Sequence, residues 1–179
     1  MKNLIRTTAV ALLITTPLLT LAQDSTKDAK LIEDCQTSKA AFVKTDSLMH
    51  SLFDNAAGYV IFPNVGKGGI GIGGAAGNGI LFEKGKPIGK ASMKQVNVGF
   101  QFGGQAYREV IFFESNEALD KFKQNKFEFS AQASAIAAKE GASTNVKYRN
   151  GVMVFTQGKG GLMYEASIGG QKFSYKPNW

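Results

Sequence analysis

His50 is the only histidine in the chain and Cys35 the only cysteine. A hydrolytic triad sets a histidine beside a nucleophile and an acid, and a zinc centre wants further His or Cys ligands. His50 instead falls within the apolar spacing Leu48, Met49, Leu52, Phe53 and Ala56, where an exposed or partly packed imidazole is the ordinary expectation. The 14 acidic residues are thinly spread, and no pair marks a glycosidase-type centre. Gly69-Ile70-Gly71-Ile72-Gly73-Gly74 fits the GxGxxG spacing. That spacing holds a pyrophosphate only where its glycines open a helix, with an acid about twenty residues on. Here Asn78-Gly79 and further strand-like sequence follow, no acid stands near residue 90, and no GxxxxGK[ST] motif occurs. The residues mark no catalytic group, no metal site, no nucleotide site and no cofactor, so a non-enzymatic protein is expected.

The lysines give the positive signal. Lys84, Lys86, Lys90 and Lys94 share one parity with Ile88 and Ser92, and Pro87, Gly89, Ala91 and Met93 share the other. A regular strand would turn all four lysines to one face and small apolar residues to the other. Lys67, ahead of the glycine-rich run, is the fifth candidate. Two readings stand side by side. The lysines could dock on headgroup phosphates, each contributing about 1 kcal/mol near an anionic surface, or they could protect an edge strand from sheet-to-sheet pairing. The expected partner is an anionic phospholipid or membrane surface, not nucleic acid or nucleotide, with a protein partner left open.

Lys2 and Arg6, the uncharged run Thr7–Leu19 and the small-residue end Thr20-Leu21-Ala22 have the order of a cleaved secretory signal peptide. The run is too short for a membrane span of roughly 20 apolar residues. Residues 1–22 are therefore expected to be removed, leaving one domain over 23–179 in the periplasm or outside the cell. No cysteine follows the cleavage point to take a lipid, and a lone thiol forms no internal disulfide. Cys35 is expected to be a half-buried small apolar residue. Loss of Lys2 and Arg6 lowers the formal charge by two, from +7 to +5.

Residues 26–56 read as helical: Leu31, Ile32, Cys35, Phe42 and Val43 make one stripe, interrupted by Lys39. A cap at Thr45 or Asp46 and a stop at Gly58 bound a second helix. Strands are expected at Tyr59–Phe62 (closed by Pro63), at Ile70 and Ile72, at Ile80–Phe82 after an Asn78-Gly79 turn, over Val96–Gly103, and at Val110–Phe113. Ser115 should cap a short helix bearing Ala118, Leu119 and Phe122. Phe129–Ala137 reads as a strand, Asn150-Gly151 as a tight turn, Gly158–Gly161 as another, and Leu162–Ile168 as a last alternating stretch. Fourteen of the 21 glycines lie between Gly58 and Gly104, a density that suits a sharply bent sheet. The fold class is α+β, with N-terminal helices packed on a strongly curved, glycine-rich antiparallel sheet or small barrel.

The run AAGYVIFPNVGKGG over Ala56–Gly69, followed by GIGGAAGNGILF, resembles the opening block of the SYLF domain. VNVGFQFGGQAYREVIFF and GKGGLMYEASIGG are similar to that family's later blocks, so the likeness spans roughly residues 30–176. It implies helices against a barrel-like sheet that binds membrane lipids, with actin association in eukaryotic members and export in bacterial ones, and no known enzymatic activity. The expectation is an exported lipid-binding module, the alternative a structural or protein-interaction module of the bacterial cell envelope. An integral outer-membrane barrel, suggested by Phe173, Tyr175 and Trp179, is disfavoured by Pro177 and by strands shorter than the roughly 9–11 residues required.

Overall fold

The computed structural model describes residues 18–67, 74–96, 106–130, 133–159 and 166–177, with side chains described from Ser25 onward except at 67, 96 and 166–167. Residues 1–17 of the expected signal, and the expected strands at 68–73, 97–105 and 160–165, lie outside the described residues.

Helix α1 (Leu18–Thr45) and the short α2 (Met49–Asn55) precede the sheet. The α1 stripe is as spaced: Cys35 and Phe42 are buried, with Leu31, Ile32 and Val43 partly so. Cys35 is fully rather than half buried, its thiol donating to the Ile61 carbonyl at 3.4 Å. Lys39 does not break the stripe. Its ammonium lies 4.8 Å from the Phe53 ring centroid and 5.4 Å from that of Tyr59, so the long stem packs and the charge rests on aromatic faces. Leu48 lies just before α2 and is exposed. Asp46 is the junction: its carboxylate accepts from the Leu48 amide and, 97 residues away, from the Ser143 amide and hydroxyl at 2.8 and 2.7 Å.

Strand β1 (Gly58–Lys67) runs straight through Pro63, which lies at a register shift where the missing N–H costs no ladder bond. Strand β2 (Gly74–Glu83) likewise contains Asn78-Gly79, expected as a turn. Gly79 is there because β1 comes too close for a side chain: a Cβ would meet the Ile61 carbonyl and lie 2.8 Å from Phe62 Cδ1. The chain reverses instead at Lys84-Gly85, both with positive φ (51° and 76°), and enters β3 (Lys86–Val96). Strand β4 (Tyr107–Phe113) leads to α3 (Asn116–Lys123), whose first turn is capped by Ser115 accepting from the Ala118 amide at 3.3 Å. Of the long strand expected at Phe129–Ala137, residues 131–132 lie outside the described ones, and the described remainder forms β5 (Ser134–Ala137). The Asn150-Gly151 turn, with φ of 52° and 79°, delivers β6 (Val152–Gly158) as its dipeptide requires. The two-residue β7 (Ala166–Ser167) and then β8 (Gln171–Pro177) complete the chain.

The sheet order is β7-β5-β6-β4-β1-β2-β3-β8. All pairs are antiparallel except β5 with β6, so the sheet is mixed. It is open and not a closed barrel, yet its two end strands are consecutive in sequence, joined by Ile168–Gly170. The Phe129 segment bonds to that joint through Phe129 N–H to Gln171 O and Gly170 N–H to Phe129 O, each 3.1 Å. Alternation sorts the apolar residues onto two faces. Tyr59, Ile61, Ile80, Phe82, Val110, Phe112, Met153 and Phe155 face α1 and α2, whereas Val60, Phe62, Leu81, Ile111, Phe113, Val152 and Val154 face α3 and Phe173. Among the described residues helices pack on both faces of the sheet, while β1, β2 and β3, at 10, 10 and 11 residues, are longer than the short strands expected from the sequence.

Candidate anion-binding face

β8 pairs with β3 in a register that sets Lys90 opposite Lys176, Ser92 opposite Ser174 and Lys94 opposite Lys172. The cause is written in the chain. Lys90-Ala-Ser-Met-Lys94 and Lys172-Phe-Ser-Tyr-Lys176 are both K-x-S-x-K, and a palindromic pattern read antiparallel lays like on like. Ala91 and Met93, with Phe173, supply the buried face, while the lysines and serines take the other. The two serine hydroxyls meet at 2.7 Å between the lysine pairs. Directly opposed residues have Cβ atoms about 4.5–5.5 Å apart, and like charges there repel.

The face is partly bounded by α1. Lys27 and Lys30 from the helix, Lys90 and Ser92 from β3, and Ser174 and Lys176 from β8 line a cleft of about 510 Å³ that also holds Asp28 and Asp34. Lys90 is neutralised by Asp28, whose carboxylate oxygens lie 3.0 and 2.9 Å from its ammonium. Lys172 has Glu128 at 3.7 Å. Among the described residues, Lys94 and Lys176 form no ion pair, and both are exposed.

The five lysines singled out from sequence are therefore divided. Lys90 and Lys94 stand on the same face, as expected. Lys84 lies in the hairpin turn. Lys86 is on the opposite face, because the register shifts between Leu81↔Gly89 and Phe82↔Pro87. The extra residue at Ile88 flips the parity, leaving Lys86 opposite Glu83, whose carboxylate pairs with Lys123 of α3 at 2.8 Å. Lys67 ends β1 opposite Ala75, and its side chain is not among those described. Lys172 and Lys176, absent from the sequence reading, were detectable as the second K-x-S-x-K; Lys27 and Lys30 carried no such mark.

A second polar group is internal. Glu109 of β4 is fully buried, its Oε2 accepting from Gln171 Nε2 at 3.0 Å while Oε1 has no partner. Gln171 Nε2 also approaches Gln95 Oε1 at 3.4 Å, and Gln95 donates to the Gly169 carbonyl at 3.0 Å. Burial pushes the Glu109 carboxyl up to about 7, against the opposing pull of the Gln171 hydrogen bond. Burial also raises the neighbouring Tyr107 phenol, and the Glu109 charge adds to this. His50 is exposed and pairs with Asp54 one turn along at 2.8 Å. Among the described residues no group of three or more His, Cys, Asp or Glu is placed to hold a metal ion, and no helix is long and apolar enough to cross a membrane.

Comparison with known proteins adds the family. Residues 94–179, from Lys94 through the whole of β8, match the family model described as Ysc84, Las17-binding protein actin regulator. The chain belongs to the SYLF family. SYLF domains form a family of lipid-binding and actin-associated modules, a binding family not known for enzymatic activity. The chain is also similar to beta cell expansion factor A of Aeromonas veronii, at 31% identity over 125 residues, or 68% of this chain. The matched region covers 47% of that relative, so the chain spans about half its length.

Proposed function

We propose that this SYLF chain is an exported, non-enzymatic module that docks on anionic phospholipid headgroups through the lysine ladder of β3 and β8. The observation that carries the reading is the palindrome, which sets Lys90 against Lys176 and Lys94 against Lys172 on one face. An external phosphate lying between each pair relieves their repulsion, and the central serine hydroxyls offer hydrogen bonds to its oxygens. With Lys90 neutralised by Asp28, Lys94, Lys172 and Lys176 at about 1 kcal/mol each near an anionic surface contribute roughly 2–3 kcal/mol, a reversible peripheral attachment and not an anchor. Export rests on the N-terminal pattern of residues 1–22, and an exported chain does not meet cytosolic actin.

The test is co-sedimentation of the chain lacking residues 1–22 with vesicles of phosphatidylcholine alone or with 30% phosphatidylglycerol. Binding is expected only to the anionic vesicles and should fade with salt. Changing Lys94, Lys172 and Lys176 together to Glu should abolish it, whereas Lys84→Glu with Lys86→Glu should have little effect. Equal binding to both vesicle types, or full binding by the triple variant, would refute the assignment.

A further inference from the structure

We propose that a second site, separate from the lysine ladder, holds the single hydrocarbon chain of an anionic amphiphile between β5 and β6. β5 meets β6 at only two register positions, Ile136↔Phe155 and Ala137↔Thr156. Towards its start it turns instead to β7, through Ser134↔Ser167 and Ala135↔Ala166. The first half of β6, Val152–Val154, is thereby left beside a cleft of about 780 Å³. That volume lies within the roughly 300–1,000 Å³ typical of small-ligand sites.

The walls come from both faces of the sheet, which makes this a slot through the sheet rather than a surface dent. Phe129 and Val154 belong to the apolar cluster under α3, and Ile136 and Val146 pack with the cluster under α1. Such walls suit a hydrocarbon chain, and a lone slot between two strands suits one chain better than two. The charge at its mouth is positive: Lys147 and Arg149 line the cleft, are exposed, and form no ion pair among the described residues. The acid in the lining, Glu128, has Lys172 at 3.7 Å. An apolar slot under two unpaired cations fits a ligand with one long alkyl chain and one anionic head, either a long-chain carboxylate or a lysophospholipid.

The experiment titrates the chain lacking residues 1–22 with cis-parinaric acid, a fluorescent long-chain carboxylate, in the absence of vesicles. Saturable binding at one probe per protein is expected. Ile136→Trp, which fills the slot, and the double change Lys147→Glu with Arg149→Glu, which reverses its mouth, should each weaken binding at least tenfold. The second variant alters only exposed side chains, so it remains informative if the first fails to fold. Palmitate or palmitoyl lysophosphatidylglycerol should displace the probe, and displacement by either supports the site. Hexadecanol should compete at least tenfold less well. Equal competition by hexadecanol, binding unchanged in the charge-reversed variant, or no saturable binding would overturn the proposal. The double ladder variant Lys94→Glu with Lys176→Glu, which leaves the Lys172–Glu128 pair of the slot lining intact, should retain the probe, and its loss there would also overturn a separate site.

Discussion

Glu109→Gln should stabilise this protein above neutral pH and leave it almost unchanged near pH 4.5. Glu109 is wholly buried, with one carboxylate oxygen unpaired. Burial outweighs the Gln171 hydrogen bond and raises its carboxyl from an ordinary 4.5 to about 7. The unfolded chain releases this proton from about pH 4.5, while the folded chain keeps it until about 7. Between those values the folded state binds more protons, so stability falls as pH rises through the window and then levels off. A difference of about 2.5 units, at about 1.4 kcal/mol per unit, makes the loss roughly 3 kcal/mol. Glutamine imitates the neutral acid and has no proton to lose, so the variant should gain that amount at pH 8. For a domain of this size that corresponds to a melting temperature higher by roughly 6–12 °C. Urea unfolding of both proteins at half-unit steps from pH 4.5 to 8.5 measures the difference curve, in which contributions from other groups cancel. Parallel curves would refute the reasoning. A variant destabilised at every pH would show that the carboxylate is charged and wanted in the fold.

Asp46 titrates with the opposite sign. Burial raises its carboxyl, but hydrogen bonds from Ser143, Leu48 and Gly141 outweigh this and hold it below its ordinary 3.8. Its contribution is present above that value and lost as pH falls beneath it, so Asp46→Ala should cost about 2–3 kcal/mol at pH 7 and progressively less in acid urea melts. Burial first, with the Asp34 charge adding to it, pushes the Cys35 thiol up to about 12 against a backbone hydrogen bond. A disulfide reagent at pH 8 should therefore leave Cys35 untouched in the native protein and modify it only on unfolding. Gly79→Ala would drive a methyl into the Ile61 carbonyl and the Phe62 ring and should cost about 3 kcal/mol in urea unfolding. Gly66→Ala, with nothing within 4 Å of the new methyl, should cost under about 0.5 kcal/mol.

What was legible in the sequence was local. Ser115 caps α3 because a serine side chain three residues from the Ala118 amide needs no tertiary help, and Asn150-Gly151 turns because both residues accept positive φ. The α1 stripe and the β4 run carry their own periods. What failed depends on partners distant in sequence. Asn78-Gly79 has the chemistry of a turn, but Asn64 and Ser92 flank it in the sheet and keep it extended. The Ile88 bulge changes the face of Lys86 relative to Lys90, and a parity count cannot see an inserted residue. The Ser134–Ala137 strand stays short because its neighbours are β6 for two residues and β7 for two more. Half of the lysine ladder was overlooked because β3 and β8 are about eighty residues apart, although the shared K-x-S-x-K pattern was open to comparison.

That pairing also weighs the two readings of the lysines against each other. Lysine protects a sheet when it sits on an edge strand with unpaired backbone groups to defend. β3 is not such a strand: β2 pairs along one side of it and β8 along the other, so Lys90 and Lys94 guard no edge. β8 is terminal in the sheet, but its free side is met by Asn125, which bonds the Tyr175 backbone, and by the Phe129 segment at Gln171. Protection therefore accounts at most for Lys172 and Lys176, and it gives no reason to align them with two more lysines. The alignment itself costs stability, about 0.2–1 kcal/mol for each opposed pair of like charges. Asp28 offsets one pair by binding Lys90, and Glu128 reaches towards Lys172, while Lys94 and Lys176 keep their charge for the solvent side. Two opposed cation pairs, one strand of which defends no edge, with one lysine of each pair unneutralised, favour the proposed docking of an external anion over edge protection.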